Sequence, residues 1–178
     1  MAASISADQW RMGGDHLMDS DLARAVGQIP RGRFILTAAF KDARMGVLVD
    51  WVQQCSTTPP MVVAAVATGL PVVPLIRDSH SFALCQVRAD DRLLERKFAG
   101  SGEGDDDPFD TLATTCAPSG SPVLQRALSY LDCEVVRHID LETNFGLYVG
   151  RVRAGRVLNG GAPLICVDEE EGTEGLRD

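Results

Sequence analysis

Two adjacent prolines, Pro59 and Pro60, stand directly before an almost wholly apolar run at residues 61–67. Proline carries no backbone N–H, so consecutive prolines cannot sit inside a hydrogen-bonded ladder. A strand that reaches Thr57-Thr58-Pro59-Pro60 must therefore break there. The run that follows shows no apolar–polar alternation, which predicts a strand covered on both faces. Residues 46–52 form another strand candidate just before the break.

The rest of the chain adds more strands than helices. Residues 1–18 show no periodic pattern and are expected to form a loose arm. Asp19-Ser20-Asp21 offers N-cap side chains for a helix over residues 22–28, with Leu22, Ala25, Val26 and Ile29 on one face and Pro30 ending it. Residues 33–40 read as a strand, followed by a polar turn at Lys41-Asp42-Ala43. Thr68-Gly69-Leu70-Pro71 turns the chain into a short segment that ends near Asp78, and residues 81–87 are again strand-like. Asp90-Asp91 can cap a helix running to Phe98, with Leu93, Leu94 and Phe98 clustered by spacing. The Gly- and Asp-rich stretch 100–108 cannot build a core and reads as a surface loop. Strands are expected over residues 127–139, 147–152 and 162–167, with Asn159-Gly160-Gly161 as a tight turn between the last two. Many short strands with few helices predict an antiparallel barrel or sandwich.

Bulk properties narrow the function classes. A length of 178 residues favours one domain, expected over residues 19–167 between the arm and an acidic tail at 168–178. The formal net charge of −8 repels phosphate backbones, so nucleic acid is not expected as a partner. No apolar run approaches the roughly 18 residues needed to span a bilayer. The first residues lack the basic start and apolar stretch of a signal peptide, so a cytoplasmic location is expected. The 5 cysteines are odd in number and form no Cys-x-x-Cys pair, which indicates neither a disulfide framework nor a zinc site. His16, His80 and His138 have no metal-ligand spacing, and His138 lies in a strand-like run that suggests a structural role. No Gly-x-Ser-x-Gly or phosphate-loop motif occurs, and Cys55 has no histidine nearby in sequence to activate it.

Three ordered segments carry a family resemblance. The first is the stretch from Gly46 through Asp50-Trp51-Val52-Gln53-Gln54-Cys55-Ser56-Thr57-Thr58-Pro59-Pro60, running on into residues 61–66. The second is Leu75-Ile76-Arg77-Asp78-Ser79 running on to Phe82-Ala83-Leu84. The third is Gly120-Ser121-Pro122-Val123-Leu124 followed by residues 127–134. In this order and with these gaps the chain resembles the flavin reductase-like, FMN-binding split-barrel proteins over about residues 22–167. The resemblance implies a mainly β fold: an antiparallel, Greek-key split β-barrel with a few short helices. It implies a homodimer that binds FMN, or FAD, near the subunit interface. It also implies hydride transfer from NADH or NADPH to the flavin, whose electrons then go to an oxygenase or another acceptor.

A flavin needs hydrogen-bond donors along its ring, a flat apolar wall, and N–H or cationic groups for its phosphate. Carried over by position, the ring and ribityl chain run along Val49, Asp50, Trp51, Gln53, Gln54, Cys55, Ser56 and Thr57. Trp51 is the candidate wall, and Gln53, Gln54, Ser56 and Thr57 are the donors. Thr68 and Gly69 are the candidates for the phosphate end, with Lys97 or its neighbour Arg96 supplying charge. No catalytic side chain is assigned. Four positions depart from the family. Asp50 replaces a common Ser, Leu70 and Pro71 offer no side-chain donor, and Phe145 replaces the His of many NADH-using members. These departures keep two alternatives open: a non-catalytic barrel that has lost the flavin, and an electron-transfer flavoprotein without NADH activity.

Overall fold

The computed structural model describes residues 20–99 and 107–167. The arm, His16, the loop at 100–106 and the acidic tail lie outside the described residues. In chain order the elements are α1 (Ser20–Gly27), β1 (Arg31–Gly32), β2 (Phe34–Phe40), β3 (Ala43–Val49), β4 (Val52–Thr57) and β5 (Pro60–Ala67). Then follow α2 (Val72–Ser79), β6 (Ser81–Gln86), α3 (Arg92–Phe98), β7 (Thr114–Cys116), β8 (Pro122–Leu124), β9 (Ser129–Asp140), β10 (Phe145–Val157) and β11 (Ile165–Cys166).

Seven strands form one antiparallel sheet in the order β3-β2-β6-β9-β10-β5-β4. β3 and β4 stand at opposite ends of that order, yet only Asp50 and Trp51 separate them in sequence. Such a link reaches about 10 Å. The edges of a flat seven-stranded sheet would lie about 29 Å apart. The sheet must therefore curl until its edges meet, and β3 does come against β5 across the seam. The fold is mainly β, an antiparallel split barrel with three short helices among the described residues.

One cluster fills the barrel. Leu36 and Ala38 from β2, Val47 from β3, Val62, Ala64 and Val66 from β5, Phe82 and Leu84 from β6, and Tyr148 from β10 all point into it. Val72 and Ile76 of α2 join them. A second cluster covers the outer faces of β2 and β6, where Ile35, Ala83 and Cys85 meet Leu94 and Phe98 of α3, Phe109, and Val123 and Leu124 of β8. β2 and β6 are thus covered on both sides. Burial pushes the Cys85 and Cys133 thiols up to about 12, which leaves them as small hydrophobes rather than nucleophiles.

Several expectations are corrected. Residues 46–52 are not one strand: β3 ends at Val49, and Val52 opens β4. Thr58 and Pro59 do break the strand, as the tip of the β4–β5 hairpin, in which Thr57 pairs with Pro60. Residues 61–67 are not buried on both faces. Val62, Ala64 and Val66 point inward, whereas Met61, Val63, Ala65 and Ala67 remain half-buried on the outer side. Small and β-branched residues at both sets of positions hid this alternation. The turn at Asn159-Gly160-Gly161 makes no hairpin, because β11 pairs with β1 rather than β10. The Asn159 amide instead donates to the carbonyls of Gln125 (2.8 Å) and Ala127 (2.7 Å). α3 is capped by Asp91, which accepts from the Leu93 amide at 3.1 Å, but Leu93 itself faces outward. The apolar stripe predicted for α1 exists and is exposed, with Leu22, Val26 and Ile29 at 53%, 46% and 60%.

Close packing fixes one glycine. A Cβ on Gly150 of β10 would stand 2.7 Å from Phe82 Cζ and 2.8 Å from Cys133 Cβ, beside a bulge in the β9–β10 ladder. Overpacking a filled core costs about 1–3 kcal/mol. Gly150→Ala is expected to lower stability by about that amount, read as a shift in urea midpoint at unchanged slope.

Candidate functional site

The seam where the barrel closes is also where most of the predicted site residues fall. The end of β3 puts Val49 inward, in the main core, and the chain then turns outward through Asp50 and Trp51. The Trp51 carbonyl accepts the Ala65 amide at 2.9 Å, which ties the link to β5. Its indole meets the Phe145 ring edge-on, with centroids 4.8 Å apart and planes at 66°. Phe145 opens β10 opposite Ala67. At the same rim the Thr68 amide and hydroxyl both donate to the Asn144 carbonyl, at 2.8 and 3.2 Å. Gly69 follows at φ +85°, a left-handed conformation that favours glycine. The residues around Trp51, Phe145, Thr68 and Gly69 therefore converge on one end of the β5–β10 pair, although they are dispersed in sequence.

β4 carries the polar part. It lies at the end of the strand order and pairs only with β5 among the described residues. A register shift between Gln54 and Ser56 leaves Cys55 out of the pairing, a bulge that interrupts the edge. Gln53, Gln54, Cys55 and Thr57 are exposed, and Ser56 is half-buried. The Gln53 amide reaches only the Gln54 carbonyl at 3.4 Å, and the Gln54 amide the Ser56 carbonyl at 3.2 Å. Both are long, solvent-exposed contacts that a ligand could replace.

Lys97 does not join this group. It projects from α3 and donates to the Thr111 hydroxyl at 2.6 Å. The family's basic residue near this position suggested it, and its polar contact lies with Thr111. Leu70 packs against the barrel core, and Pro71 precedes α2, whose N-terminus has no side-chain cap. A separate cleft of about 430 Å³, lined by Ser79, His80, Ser119, Asp132 and Arg153 among others, contains none of the predicted residues. His138 is exposed and stacks on Tyr148, with centroids 4.5 Å apart.

Sequence reading missed Arg33. Its guanidinium lies 3.1 Å from the Asp50 carboxylate and 3.6 Å from Glu95 of α3, and it donates to Cys166 Sγ at 3.2 Å. Arg33 and Asp50 flank the open end of the β2–β3 hairpin, where Phe34 pairs with Val49, whereas Glu95 and Cys166 come from separate segments. Burial raises the Asp50 carboxyl above its ordinary value, and Glu95 adds to that, although Arg33 and Arg31 pull the other way.

The site suits a flavin at its ring end. An aromatic pair, an exposed bulged strand bearing amides and a hydroxyl, and a neutralised carboxylate stand together. The phosphate end offers the Thr68 hydroxyl, the Gly69 amide and the uncapped start of α2. No helix among the described residues is long and apolar enough to cross a membrane, and no His, Cys, Asp and Glu among them cluster as a metal site.

The pH response of Asp50 follows from its position. A carboxyl raised by folding holds its proton more tightly in the folded state. Ionisation then takes stability away as the pH climbs from the ordinary value of 3.8 through the raised one. Asp50→Asn is expected to be more stable than the parent at neutral pH, and the gain is expected to vanish by about pH 3.5, where both side chains are neutral. Thermal unfolding at the two pH values checks this; a variant less stable than the parent at neutral pH contradicts it.

Comparisons with known proteins agree with the barrel fold. Residues 26–173 match the family described as flavin reductase like domain. Diflavin flavoprotein A 1 of Synechocystis is 33% identical over 141 residues, covering 79% of this chain and 24% of that protein. The chain thus spans about a quarter of the length of such relatives. Among solved structures, the NADH:FAD oxidoreductase of Streptomyces globisporus superposes with a TM-score of 0.75 at 20% identity, covering 87% of this chain and 95% of that one. The styrene monooxygenase flavin reductase of Pseudomonas putida gives 0.70 at 23% identity, covering 83% and 93%. With the barrel, the seam and the family match in agreement, the chain belongs to the flavin reductase-like domain family.

Proposed function

We propose that this protein is an FMN-binding oxidoreductase that passes hydride from NADH or NADPH to the flavin. The observation that carries the reading is the seam itself. The two residues that close the barrel set Trp51 against Phe145, next to the exposed and bulged β4. Such a rim presents an apolar edge and several hydrogen-bond donors to one flat ligand. Gln53, Gln54, Ser56 and Thr57 would hold the ring and ribityl chain, and Thr68 with the Gly69 amide would meet the phosphate. The bound flavin supplies the hydride-accepting chemistry. The chain's own part is to hold the two reactants together and to exclude water, with no side chain acting as acid or base. Phe145 can stack on a nicotinamide but cannot donate a hydrogen bond to it. The reduced flavin would serve an oxygenase or another electron acceptor.

Titration of the protein with FMN is expected to quench flavin fluorescence, and NADH is expected to be oxidised once FMN is added. Absence of quenching removes the reading. Binding without turnover favours the second reading, an electron-transfer flavoprotein, which the Phe145 ring specifically supports. In that case Phe145→His is expected to raise NADH turnover at saturating FMN.

A homodimer is part of the proposal. The outer face of β5 and β10 carries Met61, Val63, Ala65, Leu147 and Val149, all half-buried, with Val63 directly opposite Val149 and Ala65 opposite Leu147. A contiguous apolar face of this kind suits a second copy better than water. The parent is expected to sediment as a dimer and Val149→Arg as a monomer of unchanged circular dichroism. A monomeric parent would rule this part out.

A further inference from the structure

We propose that Arg33 is a positioning residue for the flavin seam: it pins the Asp50 carboxylate and cancels its charge beside the place where the ring lies. This rests on the flavin reading above. A carboxylate next to a ring that becomes electron-rich on reduction would oppose both binding and reduction. In this chain the carboxylate is not left to face the seam alone. Arg33 Nη1 holds it at 3.1 Å, and both side chains are only 23% exposed, so solvent screens the pair weakly.

Arg33 is itself fixed. Its amide donates to the Leu164 carbonyl at 3.0 Å, and its carbonyl accepts the Val87 amide at 2.9 Å. Its Nε stands 3.2 Å from Cys166 Sγ and 3.6 Å from Glu95, so the guanidinium cannot swing freely. Arg92 further occupies Glu95 at 2.7 Å, which leaves Arg33 more available to Asp50. A planar guanidinium can serve three such partners at once, whereas an ammonium acts as a single point charge. The rim residues Trp51 and Asp50 are neighbours, so fixing one carboxylate also fixes the link that presents the indole. The departure at Asp50 is therefore offset by the residue that faces it across the β2–β3 hairpin.

The test is a double-substitution cycle on the full chain. The parent, Arg33→Met, Asp50→Ser and the double variant are titrated with FMN, and the unfolding midpoint of each is measured separately. Arg33→Met is expected to weaken FMN binding by about tenfold, roughly the effect of one lost charge partner. The double variant is expected to return to within about threefold of the parent, since removing Asp50 removes the need for Arg33. The midpoint potential of bound flavin is expected to fall in Arg33→Met and to recover in the double variant. If Arg33 served only to hold segments together, the double variant would bind as weakly as Arg33→Met, and the inference would be overturned. If Arg33→Met does not fold, Arg33→Lys replaces it: affinity between the parent and a tenfold loss, restored by adding Asp50→Ser, supports the pairing, and no restoration overturns it. A parent that takes up no FMN removes the flavin reading and this inference together. A parent that binds FMN no better than Arg33→Met removes only the inference.

Discussion

Everything in this barrel follows from one short connection. Asp50 and Trp51 must carry the chain from one end of the strand order to the other. That is geometrically feasible only if the sheet is closed on itself, so the link acts as a clasp rather than a loop. The interior cluster can then draw on nearly every strand, since residues from both ends of the order reach the same centre. A longer link would permit an open sheet, with β5 and β3 free to part. The same brevity leaves its two residues little conformational choice, and this is what makes the seam a dependable place to bind something.

The barrel is not uniform around its circumference. On the side of β2 and β6 both faces are covered, and the buried Thr37 hydroxyl donates to the Pro122 carbonyl at 2.6 Å. That side carries the packing. On the side of β4, β5 and β10 the outer face is only half covered, and the edge strand is bulged and polar. Local stability and ligand access compete for the same surface, and the fold separates them by placing each on its own half. Charge is divided in a similar way. A chain of net charge −8 presents a seam where the Asp50 carboxylate is matched by a guanidinium.

Much of the architecture was legible because it is written in local pattern. Asp91 as a cap, the strand at β2 and the breaking prolines each depend on neighbours within a few residues. The division of 46–57 into two strands was not, since no glycine or proline marks the break at Asp50-Trp51 and apolar residues flank it on both sides. The one-sided burial of β5 escaped because Ala and Val serve equally on either face. The partnership of Arg33 with Asp50, Glu95 and Cys166 was beyond reach for a different reason. Such contacts leave no periodic trace: the β2–β3 hairpin sets Arg33 beside Asp50, while β11 and α3 bring Cys166 and Glu95 to them. Lys97 was suggested by a familiar local phrase, which carries no information on the Thr111 hydroxyl that its ammonium meets in the fold.

The pairing of β1 with β11 has a topological consequence. Arg31 lies opposite Cys166 and Gly32 opposite Ile165, so the first and last strands of the described fold lie side by side. A unit built this way can be spliced into a larger polypeptide with little disturbance, because entry and exit share a doorway. It could equally be opened at a surface turn and rejoined across that doorway by a few added residues, a circular permutation that would leave the barrel's clasp intact.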